Sequence, residues 1–514
     1  MSAMSGGVPG GLRGGVRWSQ EWRPVDPCGV RWPPMASAGL WWLPVVSGDM
    51  PTPRGRPARG RLRSASDRRS RPGRPWSRRT GRRSDRHPPA PGDHLAAAIN
   101  PPARRVVSEG MTEPIPGSPP GSTPPDWPYC GHGATAEAPV GCRGKQVGGH
   151  PACLAHLYTA DRAGYLAGLS AGDAVDHRGT PFTRDLLGRL LDALGDPDSH
   201  NPRIGDAWFS EAVFTGDAPF DGVDFGGDAR FDDVVFSGNA DFGGATFAGE
   251  ADFVDTTFGR DARFGSAGFG GDARFCATFA GEARFDGAAF SSDAWFSTAT
   301  FTRSAWFGGA VFTGEACFSG ATFVRDARFG GTVFTGHADF DDALFSGGVR
   351  LGGAVFGGDA RAERARFATA RQLGPLVCGG TVSLDGAEFG APVTVEIAAR
   401  QVSFRRTRWE STAALRLRRA EVELAGAVLE HRVTLVTYPE PFTDPLGIVL
   451  SEKALTDRDT TVRVRSLGGV DAAHLTLTDA DLAGCGFAGV VHRDRLRLED
   501  TAAGPPPTAD SAQS

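Results

Sequence analysis

Twenty-six phenylalanines run from Phe209 to Phe345 at alternating steps of five and six residues. One residue is missing between Phe275 and Phe279, after which the rhythm resumes; Leu351, Phe356 and Phe367 continue it more weakly. Most of these phenylalanines follow an Ala two positions earlier, as in Ala229-Arg230-Phe231 and Ala327-Arg328-Phe329. The full unit reads A-x-F-x-x-A-x-F-x-G-[DE] and repeats every eleven residues. Self-similarity at so short a period predicts a stacked rod, in which each unit buries its apolar side against its neighbours.

An eleven-residue period also suits a right-handed helical supercoil. Steps of five and six, however, turn an α-helix by roughly 140° and 240°, which scatters the rings around the axis. The recurring glycines would each cost about 1 kcal/mol inside a helix. An extended chain fits better. In A-x-F the first and third side chains point the same way, and small Ala beside large Phe fills a narrow interior. Gly, Asp, Ser and Thr between the short strands suit corners.

On these residues the chain resembles the pentapeptide-repeat family, whose unit is A-[DN]-L-x-x; Ala480-Asp481-Leu482-Ala483-Gly484 is close to that unit. The resemblance implies an all-β solenoid, a right-handed quadrilateral β-helix with four units per coil. The Phe-rich block is similar to an A-x-F branch of the family, with one residue added in every second unit, so that a coil takes 22 residues instead of 20. Recurrences at 20, such as Val395, Leu415 and Leu435, predict ordinary coils further on.

The expected organisation is a disordered Arg/Pro/Gly-rich extension and linker over 1–125 and a Cys/His segment with a small helical N-terminal cap over 126–204. The Phe-rich β-helix follows over 205–370, then a degenerate continuation over 371–436, an irregular insertion over 437–461, final coils over 462–500 and a disordered tail over 501–514. Residues 1–110 hold 20 Arg against 7 Asp and Glu, a net of +13 in a chain of net −5, so residues 111–514 carry −18. Arg outnumbers Lys 53 to 2, and Met111 opens a more usual N-terminus, so residues 1–110 read as a dispensable extension. No apolar run is long enough for a membrane-spanning helix, and a cytoplasmic protein is the expectation. Cys276, Cys317, Cys378 and Cys485 are spread along the repeats, where cysteine serves as a small apolar residue.

Two helices are expected ahead of the repeats. One covers Asp161 to Leu169; the other starts with Thr180 as N-cap and Pro181 in the first helical position, and covers the Phe209/Phe214 end of the rod with its leucines. Asp176-His177-Arg178 reads as a solvated turn.

Cys130, Cys142, Cys153 and His156 form the one cluster with metal-ligand chemistry, and Cys153-x-x-His156 has close ligand spacing. The cluster admits a structural zinc site of Cys3His type, free surface thiols or packing of Cys153 under a helix, or a redox role, with His132 and His150 as reserve ligands. A Gly- and Pro-rich segment with little core gains most from metal.

No nucleotide loop, nucleophile elbow or HExxH motif is present, so no enzymatic activity is expected. The first expectation is a non-catalytic scaffold that binds a protein partner through the outer faces of the rod. Stacking at 22 aligns outward residues into ladders: Asp224, Thr246, Gly268, Ala289, Val311, Val333, Val355, and Val213, Val235, Thr257, Thr278, Thr300, Thr322, Leu344. These suit a partner or a second copy (a homodimer), and equally suit plain β-propensity on an exposed sheet. A third ladder holds Trp208, Arg230, Asp252, Arg274, Trp295, Cys317 and Asp339. Trp295 and Trp306 are the candidate partner-binding anchors, on different sides. The alternative, implied by the resemblance, is an acidic DNA mimic acting on a type II topoisomerase (gyrase). Residues 206–366 hold 24 Asp and Glu against 12 Arg, a net of −12, which repels nucleic acid from the rod itself.

Overall fold

The computed structural model describes residues 123–500; the expected extension, apart from 123–125, and the tail 501–514 lie outside them, as does Met111. The chain forms a parallel β-solenoid of about 14 turns. In the Phe-rich block almost every strand is two residues long, and the strands stack in four columns. Side one runs Ala207–Trp208, Ala229–Arg230, Ala251–Asp252. Side two runs Val213–Phe214, Val235–Phe236, side three Ala218–Pro219, Ala240–Asp241, and side four Asp224–Phe225, Thr246–Phe247. Stacked residues are 22 apart, as in Ala251 on Ala273, and 21 apart across the missing residue, as in Thr257 on Thr278. All three expected outward ladders are in this register. Cys317 and Asp339, expected to face outward, are nevertheless buried.

Every phenylalanine from Phe209 to Phe345 is at most 7% exposed. Rings one coil apart stack nearly parallel, Phe231 on Phe253 at 5.0 Å and 2°. Rings on opposite sides meet edge to face across the core, Phe242 on Phe253 at 5.5 Å and 84°. Both are preferred aromatic geometries, each contributing about 0.5–1.5 kcal/mol beyond burial. Side-chain alternation in A-x-F delivers each ring inward, and Ala leaves the room it needs.

The two corner types explain the alternating step. At the longer corner, x-G-[DE], adjacent coils nearly touch: a Cβ on Gly238 would lie 2.4 Å from the Gly216 carbonyl carbon. The acidic residue that follows ties the coils together. Asp228 Oδ1 accepts from the Glu250 backbone N–H at 3.1 Å, and Asp293 Oδ1 from that of Glu315 at 2.8 Å. The shorter corner turns through a left-handed residue such as Asp233 or Asp255. The residue missing after Phe275 is lost here, where Ala277 N–H donates to the Phe275 carbonyl at 2.8 Å.

The first coil corrects two expectations. Helix α1 spans Thr159–Ala167. Helix α2 spans Arg184–Ala193, and its N-cap is Thr183, whose Oγ1 accepts from Leu186 N–H at 3.2 Å, not Thr180. Pro181–Phe182 instead forms a strand on Val213–Phe214, and Val175–Asp176 pairs with Ala207–Trp208. Between Pro181–Phe182 and Arg203–Ile204, which pairs with Asp224–Phe225, α2 takes the place of a side-three strand and packs on Ala218–Pro219. His177 therefore lies where later coils have Phe, fully buried, and the solvated-turn reading fails for it. Asp176 and Arg178 do remain near the surface as an ion pair at 2.9 Å.

After residue 370 the strands lengthen. Gln372–Ser383 sweeps sides four and one in a single run, pairing with both Ala354–Phe356 and Ala360–Arg361. Its pairing with Val393–Ser403 slips from 22, Leu373 on Val395, to 20, Thr381 on Gln401. Val393 on Ala413 and Ala413 on Val433 are both 20 apart, until the segment 437–461 interrupts the coil. At the changeover the ring column ending in Phe340 meets Ala362, leaving an apolar cavity of about 40 Å³ lined by Phe329, Phe340, Leu351, Phe356 and Leu384.

Candidate metal centre and outer faces

Backbone pairing builds the Cys/His cluster. Cys130 N–H donates to Gly144 O at 2.8 Å, Gly131 N–H to Cys142 O at 2.8 Å, and Cys142 N–H to His132 O at 2.9 Å. These bonds set Cys130 beside Cys142. A tight turn, with His156 N–H donating to Cys153 O at 2.9 Å, places Cys153 and His156 on one side. Gly144 is required here, since a Cβ would sit 2.8 Å from Cys153 Sγ.

The four ligand atoms lie within 4.8 Å of one another. Cys142 Sγ is 3.8 Å from Cys153 Sγ, and His156 Nδ1 is 3.5 Å from Cys130 Sγ and 3.4 Å from Cys153 Sγ. A tetrahedron with Zn–S of about 2.3 Å and Zn–N of about 2.0–2.1 Å has edges of about 3.8 Å and about 3.5 Å. The donor set and its spacing therefore fit a tetrahedral ion of the zinc type. Hydrogen bonding with Cys153 pulls the Cys142 thiol down to about 5, and the same contact, with burial, pushes Cys153 up. His132 stacks on the His156 ring at 4.1 Å, and His150 lies 3.9 Å from Asp161.

The candidate anchors are half-buried on sides one and three. The Arg274 guanidinium lies 5.7 Å from the Trp295 ring centre. Trp306 carries two such contacts, Arg328 at 3.8 Å from the next coil and Arg284 at 5.2 Å from the previous one. The period of 22 puts all three in one column.

Two buried polar groups escaped the sequence reading. Burial, with Asp341 adding repulsion, pushes the Asp339 carboxyl up to about 7. Its Oδ1 accepts from Asp341 N–H at 2.6 Å, while Oδ2 has no hydrogen-bond partner among the described residues. Burial pushes His177 down to about 4, with the Tyr165 hydroxyl 3.3 Å from its Nε2. Register counting from Asp176 on Trp208 would reveal His177 as an inward position, but only once that long-range pairing is known.

Parallel coils, inward aromatic columns and glycine corners define a short-period repeat solenoid. The family model described as "Pentapeptide repeats (9 copies)" matches residues 204–246, 231–275, 296–344 and 307–355. The chain is a pentapeptide-repeat protein, in its phenylalanine-rich form. No curated protein and no solved structure matches it. Among the described residues no helix is long and apolar enough to cross a membrane.

Proposed function

We propose that this chain is a non-catalytic scaffold that binds a protein partner through the outer faces of its solenoid, with a structural zinc ion holding the segment ahead of it. The carrying observation is the division of labour within each coil. Phe and Ala are consumed by the core, and Asp by coil-to-coil bonds, so the outward strand positions are what vary along the rod. Trp295 and Trp306 are the proposed anchors, offered as Arg–Trp stacks rather than as bare rings. Capture of partners by the full chain, compared with Trp295→Ala and Trp306→Ala, tests this; unchanged capture removes both residues.

Zinc would be held by Cys130, Cys142, Cys153 and His156, and would supply cross-linking to a segment with few buried side chains. One zinc per chain by elemental analysis is expected, lost in Cys153→Ser. Metal-free protein with an intact fold over 126–160 rejects it. The gyrase reading rests on the acidic surplus of residues 206–366. It is weakened by arginines paired within the acidic columns, such as Arg263 with Asp241 at 3.3 Å and Arg274 with Glu250 at 3.0 Å. Supercoiling by gyrase, unchanged at micromolar protein, would eliminate it.

A further inference from the structure

The side-four ladder is covered at one end and bare at the other. Its outward positions run Val311, Val333, Val355, Val377, Ala398, Arg418 in unbroken register. Val311 and Val333 are 39% and 37% exposed, whereas Val377, Ala398 and Arg418 are at most 4% exposed. The cover is the chain's own segment 437–461, which packs Phe442, Leu450 and Leu455 on Val377 and Ala398. Glu452 fastens it to Arg418 at 2.7 Å and to Arg419 at 2.6 Å.

That segment also carries a shaped apolar tip. Thr443 and Val449 bridge antiparallel, and Asp444 Oδ1 accepts from the N–H groups of Leu446 at 2.9 Å and Ile448 at 2.8 Å. The turn leaves Leu446 84% exposed and Ile448 and Val449 each 61% exposed. The base of the tip abuts the corner that leads into Val355, one coil from Val333: a Cβ on Gly352 or Gly353 would meet Pro445 or Asp444 at 3.1–3.2 Å. Tip and bare ladder are thus neighbours on one side of the rod.

We propose that this side docks a second copy of the chain, the Leu446–Val449 tip of each copy lying on the Val311–Val333 ladder of the other. This deepens the scaffold reading by naming the partner. A two-fold axis between adjacent tip and ladder makes the surface self-complementary, so the tip–ladder contact forms twice. Charge favours this side for a like copy. Two rods of net −12 over residues 206–366 repel, but residues 308–314, 330–336 and 352–358, the side-four runs of three successive coils, contain no Asp, Glu, Arg or Lys. The segment on Val377 and Ala398 shows that aliphatic and aromatic side chains fit this ladder. Exposed apolar groups so concentrated mark an interaction site.

The test is the mass of the full chain in solution by light scattering over a micromolar concentration series. A dimer is expected, and Leu446→Asp and Val333→Asp are each expected to shift it to monomer with unchanged circular dichroism. Asp224 occupies the same ladder, so Asp at 333 is compatible with the coil. Mixing the two variants should partly restore the dimer, because one tip–ladder contact survives in the mixed pair. A monomeric unaltered chain, or a dimer insensitive to both substitutions, overturns the proposal. Capture of a different protein by a monomeric chain would overturn it while leaving the scaffold reading in place.

Discussion

The Phe-rich coils and the coils after residue 370 solve one problem differently. In the former, rings stack from coil to coil, strands shrink to two residues, and corners are fixed by glycine and aspartate. In the latter the aromatic columns run out, the last stack within a core column being Phe389 on Trp409 at 4.2 Å. The core turns to Val, Ile and Leu, and the backbone takes over, with strands of 12 and 11 residues at Gln372–Ser383 and Val393–Ser403. Where large planar side chains set the stacking, little continuous ladder is needed; where they are lost, longer hydrogen-bonded strands and an outer cover appear. Side-chain packing and backbone pairing are interchangeable supports in a solenoid, within the limits of its nearest-neighbour energetics.

The largest effect expected from this contrast is on ring deletion. Phe296→Ala should cost about 3–5 kcal/mol, while Leu415→Ala should fall toward the low end of about 2–5 kcal/mol. Urea midpoints measure both, and equal losses would break the comparison. Next is the buried carboxylates. Asp339 is protonated in the folded chain up to about pH 7 but releases its proton near 3.8 when unfolded. It therefore lowers stability progressively as pH rises from about 4 to about 7, and the full penalty applies above that range. Asp339→Asn should raise Tm at pH 8 and lose most of that gain at pH 4. Asp385, equally buried in the later coils, is held by Arg405 Nε at 2.7 Å and by Ser403. Asp385→Asn should lower Tm at pH 8. The smallest effect is at the junction: Ala362→Leu fills a cavity of about 40 Å³, worth about 1 kcal/mol at ~24 cal/mol per Å³. A lower Tm would show that the cavity relieves strain between the two coil types.

The core and its ladders were legible because a strict period turns sequence distance into spatial adjacency. Phe209 to Phe345, the outward valines and the return to 20 residues all follow from counting. The Cys/His grouping was legible from ligand chemistry, although only the folded geometry, with Cys142 Sγ 3.8 Å from Cys153 Sγ and Cys130 Sγ 3.5 Å from His156 Nδ1, shows that the two pairs meet. What escaped lies where local and long-range signals conflict. Thr180-Pro181 carries a helix-start pattern, yet Pro181–Phe182 gains more by extending the side-two column under Phe214. His177 looks polar and exposed until its neighbour's pairing places it inward. The cover over Val377 and Ala398 comes from a segment with no period at all, so nothing in the repeat announces it.

The glycine corners carry a last consequence. Since successive Phe-rich coils present matching upper and lower surfaces, the molecule can be lengthened or shortened only in whole increments of one coil, about 4.8 Å each. Removing 22 residues would bring the cysteine-bearing end and the Leu446 tip closer by one increment and, the coil's own small twist aside, leave each unchanged. The aromatic block is in this sense a graduated spacer whose gauge is written in the number of its repeats.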